Sequence, residues 1–376
     1  MSTPFSIPLT DIDMHEEDVQ AVLDCLQEGW LTMGPRTQAF EAAFGDWVGA
    51  DHSVAVGSGT AALHLALLAA GVGPGDEVIV PAFTFVATAA APRYCGAEVM
   101  LADVRSPLEP TLDVLDVASR ISPRTKAVVA VHFAGYAADM VALRGLCADH
   151  GLVLIEDCAQ AVGARCADGL QVGLAGDAGC FSFFSKKQLC VGEGGMVTTR
   201  DEALAAKVRS LRSHAMTSVT WDRHRGHAES YDIVDIGFNY RLDEPRAALG
   251  LSRLPRLTAD LASRRATVRA YRERLAGVPQ VEFPWTDEDV ERASHFACLV
   301  LFPDRGTRDA VRDRLQADGI QTTWYPSLTE FTEYESHGRR PVTEEAAGRH
   351  LALPLSSTTT IEQVDFVVER VRAALG

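Results

Sequence analysis

Lys186 and Lys187 stand in the run Phe181-Ser182-Phe183-Phe184-Ser185-Lys186-Lys187-Gln188, just ahead of a Gly192-Glu193-Gly194-Gly195 turn. Upstream, the apolar run Leu152-Val153-Leu154-Ile155 ends in Glu156-Asp157. An amine on an apolar segment loses its proton more readily than one in water, and so becomes a nucleophile toward carbonyls. A carboxylate at a strand end keeps a neighbouring pyridine nitrogen protonated, because each charge favours the other's ionised form. Together they are what pyridoxal phosphate requires: the amine forms a Schiff base with the aldehyde and the acid pairs with the ring nitrogen. Each half alone has a plainer reading, a pair of solvated lysines and an acid that caps a turn. Strand alternation turns Glu156 to the side opposite Asp157, which predicts a structural role for it. Gln160 is spaced to hydrogen-bond the ring's phenolic oxygen.

Further motifs fit a flat, phosphorylated cofactor. Gly57-Ser58-Gly59-Thr60-Ala61-Ala62 lies between a strand pattern and a helix pattern. Glycines there let the backbone approach an anion, and the helix start offers free N–H groups and a positive dipole end. Ser58 or Thr60 as a simple N-cap is the alternative. Pro81-Ala82-Phe83-Thr84-Phe85 follows the next strand, where α/β domains place their ligands. An aromatic there either stacks on a ring or belongs to the core.

The elements that must position these residues read as α/β. Strand patterns cover residues 53–56, 77–80, 98–101, 126–131, 152–155, 178–184 and 195–199, alternating with helix patterns at 60–70, 86–93 and 140–150. This predicts a large, mostly parallel-sheet domain over residues 1–250, with the first fifteen or so residues packing on the smaller domain. Residues 251–376 read as a smaller α+β domain, with helices at 258–276, 307–318 and 361–375 and a strand at 294–301. A chain of 376 residues exceeds the usual size of one core, which favours two domains. A net charge of −16 argues against nucleic-acid binding. No apolar run reaches membrane-spanning length and the N-terminus lacks a signal-peptide pattern, so a cytoplasmic protein is expected. The eight cysteines are scattered without a C-x-x-C pair and read as buried free thiols. Residues 222–229, with Arg223-His224-Arg225-Gly226-His227 at their centre, read as a polar loop rather than a metal site, and no metal is expected.

Taken in order, Gly57-Ser58-Gly59-Thr60, Pro81-x-x-Thr84-Phe85-Val86-Ala87-Thr88, Glu156-Asp157-x-Ala159-Gln160 and Phe181-Ser182-Phe183…Lys187…Gly192-Glu193-Gly194-Gly195 resemble the DegT/StrS family of sugar aminotransferases. Arg212-Ser213-His214-Ala215, Gly237-Phe238-Asn239-Tyr240-Arg241-Leu242, Leu353-Pro354-Leu355 and the early segment Gly29-Trp30-Leu31-Thr32-x-Gly34-Pro35 agree with it. The resemblance implies a fold-type-I enzyme dependent on pyridoxal 5'-phosphate. The family's cofactor lysine lies five positions after the Ser of Ser-Phe and five before Gly-Glu-Gly-Gly, and both counts reach Lys187. Ser182 and the backbone of Gly59, Thr60 and Ala61 would then hold the phosphate. Phe85 would stack on the ring, Asp157 would meet its nitrogen, and Gln160 would complete the cofactor set. Asn239 resembles a residue that reaches the neighbouring subunit's cofactor phosphate, which implies a homodimer with shared sites. Trp30, Thr32, Trp221, Arg241, Trp324 and Tyr325 are the implied substrate-side residues. By analogy residues 216–222 lie near the sugar nucleotide, and the basic run 223–225 either holds a diphosphate or is solvated.

The chain departs from the family pattern at Gln188, where Asn is usual, and at Phe184-Ser185, where His-Pro is commoner. Trp324 replaces a usual His and Ala90 a usual Asn, so the sugar side does not carry over directly. The implied reaction moves an amino group from glutamate to a nucleotide-diphosphate keto deoxysugar, with a thymidine nucleotide and carbon 4 favoured over carbon 3. The alternatives are a dehydratase of the same fold, against which Lys187 argues, and a noncatalytic sugar-nucleotide-binding regulator, against which the Lys187, Asp157 and Ser182 set argues.

Overall fold

The computed structural model describes residues 5–218, 221, 224–226 and 230–376. Its strands are β1 (His52–Val56), β2 (Glu77–Pro81), β3 (Glu98–Ala102), β4 (Val104–Ser106), β5 (Glu109–Leu112), β6 (Thr125–Val131), β7 (Val153–Asp157), β8 (Ala178–Ser182), β9 (Gly195–Thr199), β10 (Cys298–Leu301) and β11 (His350–Leu353). A seven-stranded sheet has the order β1-β9-β8-β7-β6-β2-β3. Only β9 runs against its neighbours; the other pairings in this sheet are parallel. The central strands are buried on both faces, which is why β2 and β6 read as unbroken Val/Ile/Ala runs rather than alternating ones.

Alternation within each strand supplies both faces of the sheet. Leu154 and Ile79 pack with Phe40, Phe44, Phe181 and Phe183 on one face. Ile155, Val78 and Val80 pack with Leu63, Leu65 and Leu67 on the other. Those leucines belong to the helix Gly59–Ala69, which is apolar nearly all round because it is buried nearly all round. Another core joins Val268, Tyr271, Val300, Val311, Leu351 and Val367, and takes in Ile7 from the N-terminal stretch. The helix Leu257–Leu275 runs from one core into the other, with Leu257 and Leu261 in the first and Val268, Tyr271 and Leu275 in the second.

Two expected strands are shorter than their apolar runs. The run at 178–184 leaves the sheet after Ser182, because Lys187 N–H bonds Phe184 C=O (2.8 Å) and closes a turn. The strand expected from Ser294 starts only at Cys298. Ser294 and Phe296 instead donate their N–H groups to Gly135 and Ala134 C=O (2.9 Å each), with His295 between them at φ +54°. All eight cysteines are free and buried.

Candidate active site

The topology collects the chemistry-bearing residues at one edge of the sheet. β7 ends at Asp157 and β8 at Ser182, and Ser182 and Val56 both pair with Gly195 at the start of β9. The carboxyl ends of parallel strands are where open α/β sheets bind ligands.

Asp157 and Glu156 show how strand alternation separates two adjacent acids. Glu156 is fully buried, and its carboxylate accepts N–H groups from Gly173 (2.8 Å), Ala175 (2.7 Å) and Gly176 (2.7 Å). His132 Nδ1 accepts from Ala138 N–H (3.1 Å), so Nε2 carries the proton and donates to Glu156 Oε2 (2.9 Å). Cys158 lies close to this pair, and burial holds its thiol well above the usual range. His132, Glu156 and Cys158 have metal-ligand spacing, but the histidine and carboxylate atoms are already engaged in hydrogen bonds. Asp157 faces the other way. Its Oδ2 accepts from Thr88 Oγ1 (2.7 Å), which also pairs with Thr84 Oγ1 (2.7 Å), and its Oδ1 accepts from Ala159 N–H (3.0 Å). Thr88 lies two residues inside the helix Val86–Tyr94. Its place in the motif around Phe85 is visible in the sequence, but its bond to Asp157 is not.

The β8–β9 connection carries the lysines. Phe183 N–H reaches Gly194 C=O (2.8 Å) and Ser185 N–H reaches Gly192 C=O (3.0 Å), so the loop is closed at its base. Gly192 turns the chain with φ +92°, a conformation few other residues accept. Within this loop Lys186 is exposed and Lys187 half-buried. The Lys187 Nζ sits over the Phe296 ring, 4.4 Å from its centroid. Burial pushes the amine down from its ordinary value to about 8, while the charge of Asp157 pulls the other way. Gln188 Nε2 donates to Gln160 C=O (2.9 Å) and to Ser294 Oγ (3.1 Å). Phe296 and Ser294 are the contacts that the sequence reading missed, and no local pattern signals either one.

The phosphate-side residues also meet. Ser58 is the N-cap of the helix Gly59–Ala69, and its Oγ accepts from Ala61 N–H (3.1 Å). Ala61 therefore already has an acceptor, and the donors left at this helix start are Gly59 and Thr60, whose N–H groups have no partner a turn earlier. Gly59 faces Ser182 so closely that a Cβ on it would lie 2.8 Å from Ser182 Cβ. This is a cradle only glycine permits. Phe83 and Phe85 divide the two readings of their motif. Phe83 is 1% exposed and packs on Phe133 (4.5 Å), whereas Phe85 is 68% exposed at the start of its helix. Gln160 Oε1 accepts from Ala134 N–H (2.7 Å), which leaves its amide nitrogen as the outward donor.

The substrate-side residues are more dispersed. Trp30 packs on Trp221 (4.8 Å) and on His224 (4.6 Å). Val219, Thr220, Asp222, Arg223, His227 and Glu229 of that loop lie outside the described residues. Thr32 and Asn239 are exposed, and Arg241 is half-buried. Tyr325 stacks on His350 (5.7 Å) and meets Phe133 edge-on (5.5 Å). Trp324 instead lies against the guanidinium groups of Arg308 (5.0 Å) and Arg312 (4.8 Å).

The chain resembles known proteins over nearly its whole length. Residues 12–372 match the DegT/DnrJ/EryC1/StrS aminotransferase family. The chain is 36% identical, over 100% of both sequences, to a UDP-N-acetyl-3-dehydro-alpha-D-glucosamine 3-aminotransferase from Acidithiobacillus ferrooxidans. It is 42% identical to GDP-perosamine synthase of Caulobacter vibrioides over 72% of this chain and 70% of that one. Among solved structures, S. venezuelae DesV in complex with a ketimine intermediate superposes with a TM-score of 0.90 at 35% identity, covering 99% of this chain and 98% of that one. The fold is thus that of the fold-type-I pyridoxal phosphate-dependent sugar aminotransferases, and the chain belongs to the DegT/DnrJ/EryC1/StrS aminotransferase family.

Proposed function

We propose that this enzyme transfers an amino group from glutamate to the keto group of a nucleotide-linked deoxysugar. The observation that carries the reading is the half-buried Lys187 amine, set against Asp157 at a sheet edge that also holds a glycine cradle. When bound, pyridoxal phosphate supplies an aldehyde to receive the amine and a protonated ring to withdraw electrons from the bond being broken. The residues present fit it. Lys187 would hold it through Nζ, the N–H groups of Gly59 and Thr60 with Ser182 would hold the phosphate, and Phe85 would cover the ring. Asp157, oriented by Thr88, would keep the ring nitrogen protonated. Gln160 would offer its amide nitrogen to the phenolic oxygen. The neutral Lys187 amine would be the base that takes the proton from the donor's α-carbon, holding it on Nζ for its return.

A second copy of the chain completes the site in this reading. Asn239 is exposed, and the segment before it presents Ile233, Val234 and Ile236, the last 85% exposed. An apolar stretch of this kind beside a polar reaching residue supports a homodimer in which Asn239 serves the partner's cofactor. The free buried thiols support a reducing, cytoplasmic compartment. Among the described residues no helix is long and apolar enough to cross a membrane.

For the acceptor we propose a thymidine-diphosphate 4-keto deoxysugar. The relative that acts on a UDP-linked 3-dehydro sugar favours a second reading, amination at carbon 3. Glutamate-dependent turnover measured against thymidine-, uridine- and guanosine-diphosphate sugars bearing a 4-keto or 3-keto group decides between them. The first reading expects the thymidine 4-keto compound to give the highest kcat/KM. A higher value for a 3-keto sugar replaces it with the second, and no aminosugar from any of them overturns both.

A further inference from the structure

Ser294, His295 and Phe296 lie outside regular structure, yet they are anchored from several elements. Their backbone is bonded to Ala134 and Gly135 just beyond β6. Gln188 Nε2 binds Ser294 Oγ (3.1 Å), and the buried Arg264 donates Nη1–H to His295 C=O (3.3 Å). His295 Nε2 donates to Val290 C=O (2.9 Å). A left-handed backbone at a residue other than glycine persists only where its surroundings impose it, and His295 is such a residue. The result is an aromatic ring 4.4 Å from the Lys187 amine, carried by a segment more than one hundred residues away in sequence.

We infer that Phe296 shields the Lys187 amine from water, and that Gln188 is the positioning residue that holds it there. The inference rests on Lys187 being the cofactor lysine. A ring face acts on an amine in opposite senses. It attracts the ammonium form through its quadrupole, and it removes the water that stabilises that form. Burial holds the amine down at about 8 against the pull of Asp157, and the Phe296 ring, 4.4 Å from Nζ, is part of what surrounds it. Asp157, from the end of β7, is the charged group acting on Nζ. His295, on the segment that carries the ring, is kept neutral by burial, which pushes it down to about 3. The Arg264 guanidinium lies behind it on the His295 carbonyl. Gln188 alone links the lysine loop to this segment through its side chain among the described hydrogen bonds, which makes it the part to remove.

The test needs no turnover. The cofactor-free chain is treated with acetic anhydride at graded pH, and acetylation of Lys187 is read by peptide mass spectrometry. The wild-type midpoint is expected near pH 8. Phe296→Ala should raise it by about one pH unit as water reaches Nζ. Phe296→Tyr should leave it in place, and Phe296→Leu, which keeps apolar bulk without the ring's quadrupole, should not raise it. Gln188→Ala should raise it by a smaller step, and it tests the inference even where Phe296→Ala does not fold. A midpoint in Phe296→Ala or Gln188→Ala no higher than wild type overturns the inference. In parallel, pyridoxal phosphate is added and the adduct is trapped with borohydride. An adduct at Lys187 with unmoved midpoints sinks the inference alone, whereas an adduct at another lysine sinks the lysine assignment with it.

Discussion

The wall that carries Asp157 is a strand end, and the closed loop that leaves the neighbouring strand carries Lys187; hydrogen bonds to the backbone or to neighbouring hydroxyls orient Asp157 and Gln188 there. The rim that carries Trp30, Trp221 and Trp324 lies outside the sheet, and its rings lean on one another or on arginines. Strand ends are held by the sheet whatever binds beside them, which suits a cofactor that is always the same. Loops take different side chains without disturbing the sheet. Among the relatives, one is named for a UDP-linked acceptor and another for a GDP-linked product.

The comparison can be broken most sharply at its centre. Lys187→Ala should lower glutamate-dependent turnover by about 10⁴-fold or more and remove the borohydride-trapped adduct, while Lys186→Ala leaves both near wild type. An adduct lost in the second variant instead of the first would move the chemistry to the exposed lysine. Glu156→Gln probes the same strand one residue earlier. It removes a buried charge that three N–H groups and His132 are arranged to meet, and should cost about 3 kcal/mol in a denaturant titration. Its kcat per folded molecule should fall no more than severalfold, because Glu156 faces away from the site. Gly59→Ala forces a methyl group to 2.8 Å from Ser182 Cβ and should weaken pyridoxal phosphate binding by about tenfold, read by absorbance titration. The rim should be the most forgiving. Trp324→Ala is expected to raise KM for the sugar nucleotide by about threefold with kcat nearly unchanged, since its ring is exposed and leans on Arg308 and Arg312. A large fall in kcat there would show that rim and wall are not separate.

Much of the wall was legible beforehand. Alternation along β7 told Asp157 from Glu156, and the helices at 140–150 and 361–375 and the strand at 195–199 were readable to the residue. These are local matters, set by a period of two or of 3.6 residues. Errors arose where an apolar run outlasted its strand. Ser294-His295-Phe296 has the composition of a strand, but its N–H groups are taken by Ala134 and Gly135. The Ala61 N–H, expected to face a phosphate, bonds Ser58 Oγ, since a helix cap competes for the same N–H.

By itself the sequence determined the chemical inventory: an acid at a strand end, a glycine-rich helix start, and a lysine pair before a glycine turn. The ordered motifs then named the family. Only the tertiary structure decided which lysine sits over a ring, which hydroxyl orients Asp157, and that Gln188 reaches Ser294. Periodicity reports which face of its own element a side chain takes, and it contains nothing about the partner waiting there. That partner is chosen by how the sheet edge, the lysine loop and the second core close on one another. The ring over the Lys187 amine comes from Phe296, more than one hundred residues further along the chain.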